Sequence, residues 1–367
     1  MESQLRVAVI GCGYWGGNYV RLFSELPDTQ VVAVCDQRQE CLDKVSKRFP
    51  DVILSQSLDE VLSLPEIDAV VISTYASSHY EITRKCIEAG KHVLLEKPMT
   101  TAVEDAEKLI ALAEAHGVIL MVGHIYLYNA GIRKIKELVN NGSMGQLYYL
   151  YSQRTNLGPI RYDVNAIWDL APHDISIMNY VLDSAPEWVS AVGHRALRSD
   201  REDVGFIVLG YPHNVVGNIH VSWADPDKIR QIVAVGSQQR VVFNDLNPQE
   251  PIRIFEKGID GSALLPTSFG EQYAIRNGNI ISPQIGLSEP LKEQCLHFVD
   301  CIRNHRQPLS DGRNGLDVVR VMVAINESIQ RKGAPVQLGD VSDMTHITEG
   351  EHDNYSKNGS TVAHLVR

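Results

Sequence analysis

Short apolar runs alternate with segments of helical periodicity from residue 5 to about residue 124. This alternation is typical of a parallel sheet that is covered by helices on both faces. The predicted strands are 5–10, 30–35, 52–54, 69–73, 92–95 and 118–122. The predicted helices lie near 15–26, 38–48, 57–63, 79–89 and 102–116. We therefore expect the first 124 residues to form an α/β domain.

The pattern changes after residue 124 to helices mixed with strands in which polar and apolar residues alternate. Such alternation is typical of antiparallel strands with one covered face. The predicted helices lie near 130–140, 170–183, 290–304 and 313–332, and a long loop spans 155–168. The predicted strands are 146–154, 187–198, 203–211, 214–224, 228–236 and 239–244. We expect 125–340 to form an α+β domain with a large open, mainly antiparallel sheet, and 341–367 to form a mobile tail.

Three glycines directly follow the first apolar strand. Gly11 allows a tight strand-to-helix turn, Gly13 lets the backbone approach a pyrophosphate, and Gly16 lets the helix pack closely on its strand. The next helix begins with unpaired amides and the positive end of its dipole, which suit phosphate groups. The pattern predicts a Rossmann dinucleotide-binding domain, and an ordinary glycine turn between strand and helix is the alternative.

The end of the second strand indicates which dinucleotide binds. Asp36 lies twenty residues after Gly16, where a carboxylate can accept hydrogen bonds from both hydroxyls of an adenosine ribose. This favours NAD over NADP, although Arg38 could stack on adenine or contact a 2′-phosphate. His79 either borders the cofactor or starts the following helix. The other residues assigned to the cofactor are Tyr14, Trp15, Ser73, Thr74, Glu96 and Lys97.

Composition and charge narrow the class of protein. The chain has 367 residues, of which 44% are hydrophobic and 22% charged, and no run reaches the ~18 to 20 apolar residues of a membrane span. A net charge of −11 argues against a general nucleic-acid binder. The six cysteines lack paired spacing, and no metal-binding motif is present. With no signal peptide recognised at the N-terminus, we expect a cytoplasmic protein that binds neither membranes nor nucleic acid.

Asp169 and His173 lie four residues apart at the predicted start of a helix, which places both side chains on one face. A carboxylate beside an imidazole fixes its orientation and favours its protonated form, as suits a proton acceptor near neutral pH. The alternative is a helix cap and a buried structural histidine. Lys97 follows the fifth strand and precedes Pro98, so it is expected at the sheet edge where ligands bind.

Four motifs in this order resemble the Gfo/Idh/MocA family of NAD(P)-dependent oxidoreductases, over about 1–335. The motifs are Gly11 to Gly16, Glu96-Lys97-Pro98, Gly123-His124 and Asp169 to Asp174. The stretch 157–168 resembles the subgroup that acts on sugars and nucleotide-linked sugars, whereas Tyr75 departs from the proline of many members. The resemblance implies a Rossmann domain followed by an open-sheet domain, with Lys97, Asp169 and His173 at the substrate.

The resemblance also implies a reaction, in which a sugar carbinol is oxidised by the nicotinamide. His173 would take the hydroxyl proton, Asp169 would orient it, and Lys97 would stabilise negative charge on the oxygen. The residues expected to bind substrate hydroxyls, carboxylate or phosphate, or else to lie in a solvated loop, are Arg154, Asn156, Arg161 and Asn165. Because open sheets often pair with a second subunit, a homodimer or homotetramer is expected. The alternatives are an NAD-dependent glycoside hydrolase and a non-catalytic NAD sensor.

Overall fold

The computed structural model describes residues 4–158, 160–161, 163–197, 200–286 and 288–339. The predicted tail 341–367 lies outside these residues. Within them, no helix is both long enough and apolar enough to span a membrane.

The N-terminal domain contains a six-stranded parallel sheet in the order β3-β2-β1-β4-β5-β6. The strands are β1 (Leu5–Ile10), β2 (Thr29–Cys35), β3 (Ile53–Ser55), β4 (Ala69–Ile72), β5 (His92–Leu95) and β6 (Leu120–Val122). The helices are α1 (Tyr14–Glu25), α2 (Gln39–Ser46), α3 (Leu58–Leu62), α4 (His79–Glu88) and α5 (Val103–His116). All four residues of β4 are buried, because helices cover both faces of a parallel sheet. The predicted α/β architecture is confirmed.

The second sheet has nine strands in the order β16-β13-β12-β11-β7-β10-β9-β8-β17. Its strands are β7 (Leu147–Thr155), β8 (Trp188–His194), β9 (Val204–Tyr211), β10 (Val215–Ser222), β11 (Ile229–Gly236), β12 (Arg240–Asn244), β13 (Ile252–Phe255), β16 (Ile280–Ile281) and β17 (Val336–Gln337). Neighbouring strands run antiparallel except β7 and β10, which run parallel. The prediction of a large, mainly antiparallel sheet is confirmed.

The remaining elements are two strands and four helices. They are β14 (Gly258–Thr267), β15 (Gly270–Arg276), α6 (Ala130–Asn140), α7 (Ala166–Leu182), α8 (Pro290–Asn304) and α9 (Gly312–Gln330). β14 and β15 form a separate antiparallel hairpin. The sequence analysis did not predict β13 to β17, since these strands are short or lie at exposed positions.

The helix that carries Asp169 and His173 begins earlier than predicted. The predicted loop runs to residue 168, whereas α7 starts at Ala166 because the Asn165 side chain accepts a hydrogen bond from the Trp168 amide at 2.9 Å. Pro172 therefore lies inside the helix rather than in its first turn. Since proline has no N–H, the helix lacks one of its regular hydrogen bonds there.

Helix α8 returns to the N-terminal domain, although the predicted boundary assigns it to the second domain. Its buried Cys295 and Phe298 share a hydrophobic core with Tyr19 and Phe23 of α1. Gln294 Nε2 also donates to the Tyr19 hydroxyl at 2.9 Å. Helix α8 thus packs against α1 of the N-terminal domain.

Candidate active site

The glycine turn after β1 is tightly packed on one side and open on the other. A Cβ added to Gly16 would lie 1.8 Å from the Gly11 carbonyl oxygen, so only glycine fits there. A Cβ on Gly13 would meet nothing closer than Arg38 Nη2 at 3.5 Å. The close packing of the turn therefore does not require glycine at position 13. This geometry is consistent with a requirement from outside the turn, such as the close approach of the Gly13 backbone to a bound ligand.

Helix α1 starts at this turn with its first amides available. Its N-cap, Gly13, has no side chain to cap it, and its first turn contains no acidic residue. The free amides and the helix dipole make an anion site. Tyr14 and Trp15 are exposed in the first turn, with their rings edge to face at 5.6 Å. These features fit the pyrophosphate of a dinucleotide.

Asp36 directly follows β2 beside the glycine turn and is buried. Its Oδ2 accepts from the Cys12 amide at 2.8 Å, and its Oδ1 accepts from the Arg38 amide at 2.9 Å and from Arg38 Nε at 3.1 Å. Burial opposes ionisation, but the Arg38 and Cys12 hydrogen bonds outweigh it and lower the pKa of Asp36. Asp36 is therefore an anion, and the Arg38 guanidinium is engaged by it.

The residues after β4 are held together by local hydrogen bonds. Ser73 Oγ donates to the Gly11 carbonyl at 2.7 Å, and Thr74 Oγ1 accepts from Ser78 Oγ at 2.9 Å. His79 begins α4 and is buried, with Nδ1 2.7 Å from the Pro98 carbonyl oxygen. Burial lowers the pKa of His79 to about 4, so the ring is neutral. The structure thus gives His79 the role of linking α4 to the Lys97–Pro98 segment, whose peptide bond is cis.

Glu96 is the first residue after β5, and its carboxylate faces the N-terminal domain. Its Oε1 accepts from the Tyr19 hydroxyl at 2.7 Å, and its Oε2 accepts from the Lys97 amide at 3.1 Å. Burial raises the pKa of Glu96. Glu96 therefore fixes the backbone at Lys97 and ties it to α1.

Lys97 is buried and reaches across to α7. Its Nζ donates to the Asp169 carbonyl oxygen at 2.9 Å and lies 3.4 Å from Asp169 Oδ1. The same Oδ1 accepts from Arg161 Nη1 at 3.1 Å. Burial raises the pKa of Asp169, but Lys97 and Arg161 outweigh that effect, so the pKa lies below its ordinary value. The structure brings two cations and one carboxylate together at the junction of the domains.

His173 does not pair with Asp169, which corrects the sequence-based expectation. Within the described part of the chain, the Asp169 side chain contacts Lys97 and Arg161, and His173 Nδ1 is buried without a hydrogen-bond partner. Burial, followed by the charges of Lys97 and Arg154, lowers the pKa of His173 well below its ordinary value. The four-residue spacing places the two residues on one helix face. The Asp169 carboxylate nevertheless pairs with Lys97 and Arg161 and not with the imidazole.

The four predicted substrate residues have different surroundings. Arg154 is buried in an ion pair with Asp174, and Asn165 caps α7 while its Nδ2 donates to Glu202 at 2.9 Å. Arg161 is part-buried and forms ion pairs with Asp163 and Asp169. Asn156 Oδ1 is buried and has no hydrogen-bond partner among the described residues. Asn156 and Arg161 therefore remain the stronger candidates for a substrate contact.

The sequence analysis gave no role to two aromatic side chains that lie in this region. Tyr126 places its ring 5.3 Å from that of His173, in an edge-on arrangement. His124 follows β6 and is buried with both ring nitrogens unpartnered, and burial lowers its pKa to about 3. In the described ranges, no group of three or more His, Cys, Asp or Glu side chains could hold a metal ion.

Comparison with known proteins identifies the family. Residues 5–124 match the family described as "Oxidoreductase family, NAD-binding Rossmann fold", and residues 132–242 match the "GFO/IDH/MocA C-terminal domain". The scyllo-inositol 2-dehydrogenase (NAD(+)) of Bacillus subtilis is 26% identical, covering 92% of this chain and 97% of that protein. The UDP-N-acetylglucosamine 3-dehydrogenase of Acidithiobacillus ferrooxidans is 25% identical, covering 89% and 99%.

A solved structure supports the fold. The WlbA dehydrogenase from Bordetella pertussis, in complex with NADH and UDP-GlcNAcA, superposes with a TM-score of 0.74 at 22% identity, covering 91% of this chain and 98% of that chain. The two family matches together span both domains that carry the glycine turn, Lys97, Asp169 and His173. The chain therefore belongs to the Gfo/Idh/MocA family of oxidoreductases and has its NAD-binding Rossmann domain.

Proposed function

We propose that this protein is an NAD-dependent dehydrogenase that reversibly oxidises a secondary hydroxyl of a sugar, most suitably a nucleotide-linked, amino or uronic sugar. The observation that carries this proposal is the buried Lys97 ammonium, which reaches from the Rossmann domain to Asp169 beside His173. The relatives named above act on an inositol and on a UDP-linked amino sugar, which supports a polyhydroxylated substrate.

The residues present fit NAD. The free amides of α1 beside Gly13 would hold the pyrophosphate, and the Asp36 carboxylate would accept hydrogen bonds from the adenosine ribose. An ionised Asp36 would also repel a 2′-phosphate, while Arg38 is already engaged by that carboxylate. When bound, NAD supplies the acceptor for the two electrons that leave the carbinol carbon.

The side chains at the domain junction have the properties that proton transfer needs. Burial lowers the pKa of His173, so its imidazole is neutral and would accept the hydroxyl proton on its unprotonated nitrogen. Lys97 Nζ would donate a hydrogen bond to the same oxygen and stabilise the negative charge that develops there. Asp169 holds Lys97 through its carbonyl and carboxylate oxygens. Asp169 thus positions the ammonium rather than the imidazole.

Two side chains would select the substrate. Arg161 is about 29% exposed and shares Asp169 with Lys97, so an incoming carboxylate or phosphate would compete with that ion pair for its guanidinium. Asn156 Oδ1 has no partner among the described residues and would accept from a sugar hydroxyl. Arg161 would thus favour an anionic sugar, and Asn156 would favour a hydroxylated one.

The test is an absorbance screen at 340 nm. Purified protein with NAD or NADP would be given free sugars, inositols, and UDP-linked N-acetyl sugars and uronates. A substrate-dependent rise with NAD supports the proposal and names the substrate class. No rise across the panel, although NAD binds, would count against it. Cleavage of a nitrophenyl glycoside without net NADH would then point to a hydrolase, and binding without any turnover to a sensor.

We also propose that the protein forms a homodimer or homotetramer through the open face of its nine-stranded sheet. Tyr149, Phe206 and Val216 are exposed on neighbouring strands of this sheet, and such a patch favours burial against a second copy. Light scattering of purified protein tests this, and a monomer would contradict it.

A cytoplasmic location is proposed on the basis of six free cysteines, all of them buried.

A further inference from the structure

Five side chains from separate segments meet beside the proposed catalytic imidazole. Arg154 on β7 donates from Nε and Nη2 to the two carboxylate oxygens of Asp174 on α7, at 2.8 and 3.0 Å. Its Nη1 donates to the Tyr126 hydroxyl at 2.8 Å, and that hydroxyl donates to Asp245 Oδ2 at 2.9 Å. Arg230 Nη1 lies 3.6 Å from the same Asp245 oxygen. We call these five residues the Tyr126 cluster.

The cluster is electrically balanced, and it is buried at Arg154 and Asp174, whereas Arg230 is about 41% exposed. Arg154 and Asp174 are 7% and 1% exposed, and two arginines face two aspartates. The cavity that its members line measures about 10 Å³, which is at most the room for one water molecule. Three donors of Arg154 are already used within the cluster. A sugar hydroxyl or phosphate therefore has no space at the buried Arg154.

The cluster contacts His173 in two ways. The Tyr126 ring packs edge-on against the imidazole, with centroids 5.3 Å apart, and the Arg154 guanidinium lies 4.5 Å from the centroid of that same tyrosine ring. Asp174 is the next residue after His173 in α7, and Arg154 forms a bidentate ion pair with it. The imidazole is therefore held through its ring on one side and through the helix backbone on the other.

The orientation of the His173 imidazole depends on its neighbours, because the ring lacks a hydrogen bond at Nδ1 among the described residues. Its Nδ1 is buried and has no hydrogen-bond partner among the described residues, so no hydrogen bond at that atom fixes the plane of the ring. Packing against Tyr126 is then what sets its orientation. The Tyr126 hydroxyl is in turn fixed from both sides by Arg154 and Asp245.

We propose that Tyr126 and Arg154 are positioning residues for His173, and that Arg154 does not bind substrate. This inference rests on the proposed function for its kinetic consequences. A general base acts only when it is within hydrogen-bond reach of the proton, and a misplacement of about 1 Å costs roughly 100-fold in rate. Disturbing the cluster thus lowers kcat while the substrate contacts, and KM, are kept.

The experiment compares two cluster variants with a matched control. Tyr126→Phe keeps the ring and removes the hydroxyl, and Arg154→Lys keeps the charge and removes the two-pronged geometry. Tyr211→Phe is the control, because the hydroxyl of the buried Tyr211 donates to Asn179 of α7 at 2.8 Å. The control therefore removes a tyrosine hydrogen bond made directly to the helix that carries His173, six residues from it.

The kinetic readout uses the substrate that the 340 nm screen identifies. We expect kcat to fall roughly 10- to 100-fold in Tyr126→Phe, with KM and NAD affinity within about twofold of wild type. Tyr211→Phe should keep its kcat within about twofold. An unchanged kcat in Tyr126→Phe, or an equal fall in Tyr211→Phe, would overturn the inference. A large rise in KM for Arg154→Lys at unchanged kcat would instead make Arg154 a substrate ligand.

A second readout does not depend on turnover. In protein labelled with ¹⁵N-histidine, the ring signals of His173 can be assigned by their loss in His173→Asn. We expect these signals to shift or broaden in Tyr126→Phe and in Arg154→Lys but to stay in place in Tyr211→Phe. Unmoved signals in both cluster variants would refute the positioning role even if no sugar is oxidised. A failed sugar screen with shifted signals would count against the proposed function and leave the positioning role supported.

Discussion

Replacing Asp36 by asparagine should reverse the cofactor preference while the fold is kept. The asparagine has the same shape and can still accept from the Cys12 amide, which Asp36 Oδ2 contacts at 2.8 Å. It loses the negative charge that would bind the ribose hydroxyls and would repel a 2′-phosphate. It also releases the Arg38 guanidinium, which now donates to the carboxylate at 3.1 and 3.2 Å.

The size of the effect follows from the strength of charged hydrogen bonds. A hydrogen bond to a charged group contributes about 1.5 to 3 kcal/mol and a neutral one about 1 kcal/mol, so two ribose hydroxyls lose roughly 2 kcal/mol, or about 30-fold in NAD affinity. Removing the repulsion and freeing Arg38 should strengthen NADP binding by about tenfold or more. The ratio of NAD to NADP affinity should therefore fall by at least about 100-fold.

Calorimetric titration of each variant with NAD and with NADP measures this ratio. The matched control is Asp68→Asn, because Asp68 accepts from the Arg6 amide at 2.8 Å and from its guanidinium at 3.1 and 3.2 Å. That pair lies at the amino ends of β1 and β4, away from the glycine turn. An unchanged ratio in Asp36→Asn, or the same change in Asp68→Asn, would refute the ribose assignment.

Two further predictions concern folding. Gly16→Ala places a Cβ 1.8 Å from the Gly11 carbonyl oxygen and should therefore lower Tm and abolish NAD binding. Gly17→Ala is the control, because its Cβ would have no atom within 4 Å. In thermal unfolding this control should be neutral or stabilising by about 0.5 to 1 kcal/mol. The folded-state pKa values of His79 and His124 are lowered to about 4 and about 3. Below pH 6.5 the histidines become protonated in the unfolded chain, whereas both rings stay neutral in the folded protein. As the pH is lowered through this range, the free energy of unfolding measured with urea should therefore fall by about 1.4 kcal/mol per pH unit for each ring. A flat profile would contradict their burial.

Much of the cofactor side of the site could be predicted from sequence. The glycine spacing fixes a strand, a turn and a helix, and parallel strands bring their carboxyl ends to one edge. Asp36, Lys97 and the residues after β4 all follow strands of one sheet, so their order along the chain was enough to place them at that edge.

The substrate side was harder to predict, because its contacts join distant parts of the chain. The spacing of Asp169 and His173 fixes a shared helix face but not the direction of the carboxylate, which depends on Lys97, 72 residues away. The hydrogen bond between Tyr126 and Asp245 spans 119 residues. The start of α7 is different, because Asn165 is a good N-cap residue and could have placed the helix start correctly.

The central claim, that Lys97 serves the reaction and not the binding of NAD, is tested most directly by Lys97→Ala. The measurement is the rate of absorbance change at 340 nm with saturating NAD and sugar, set beside the NAD dissociation constant of the same protein from calorimetry. Because Lys97 Nζ contacts Asp169 rather than the glycine turn, we predict a loss of turnover of at least about 100-fold with NAD affinity within about threefold of wild type. An equal loss of turnover and NAD affinity, or full activity without the lysine, would contradict the account.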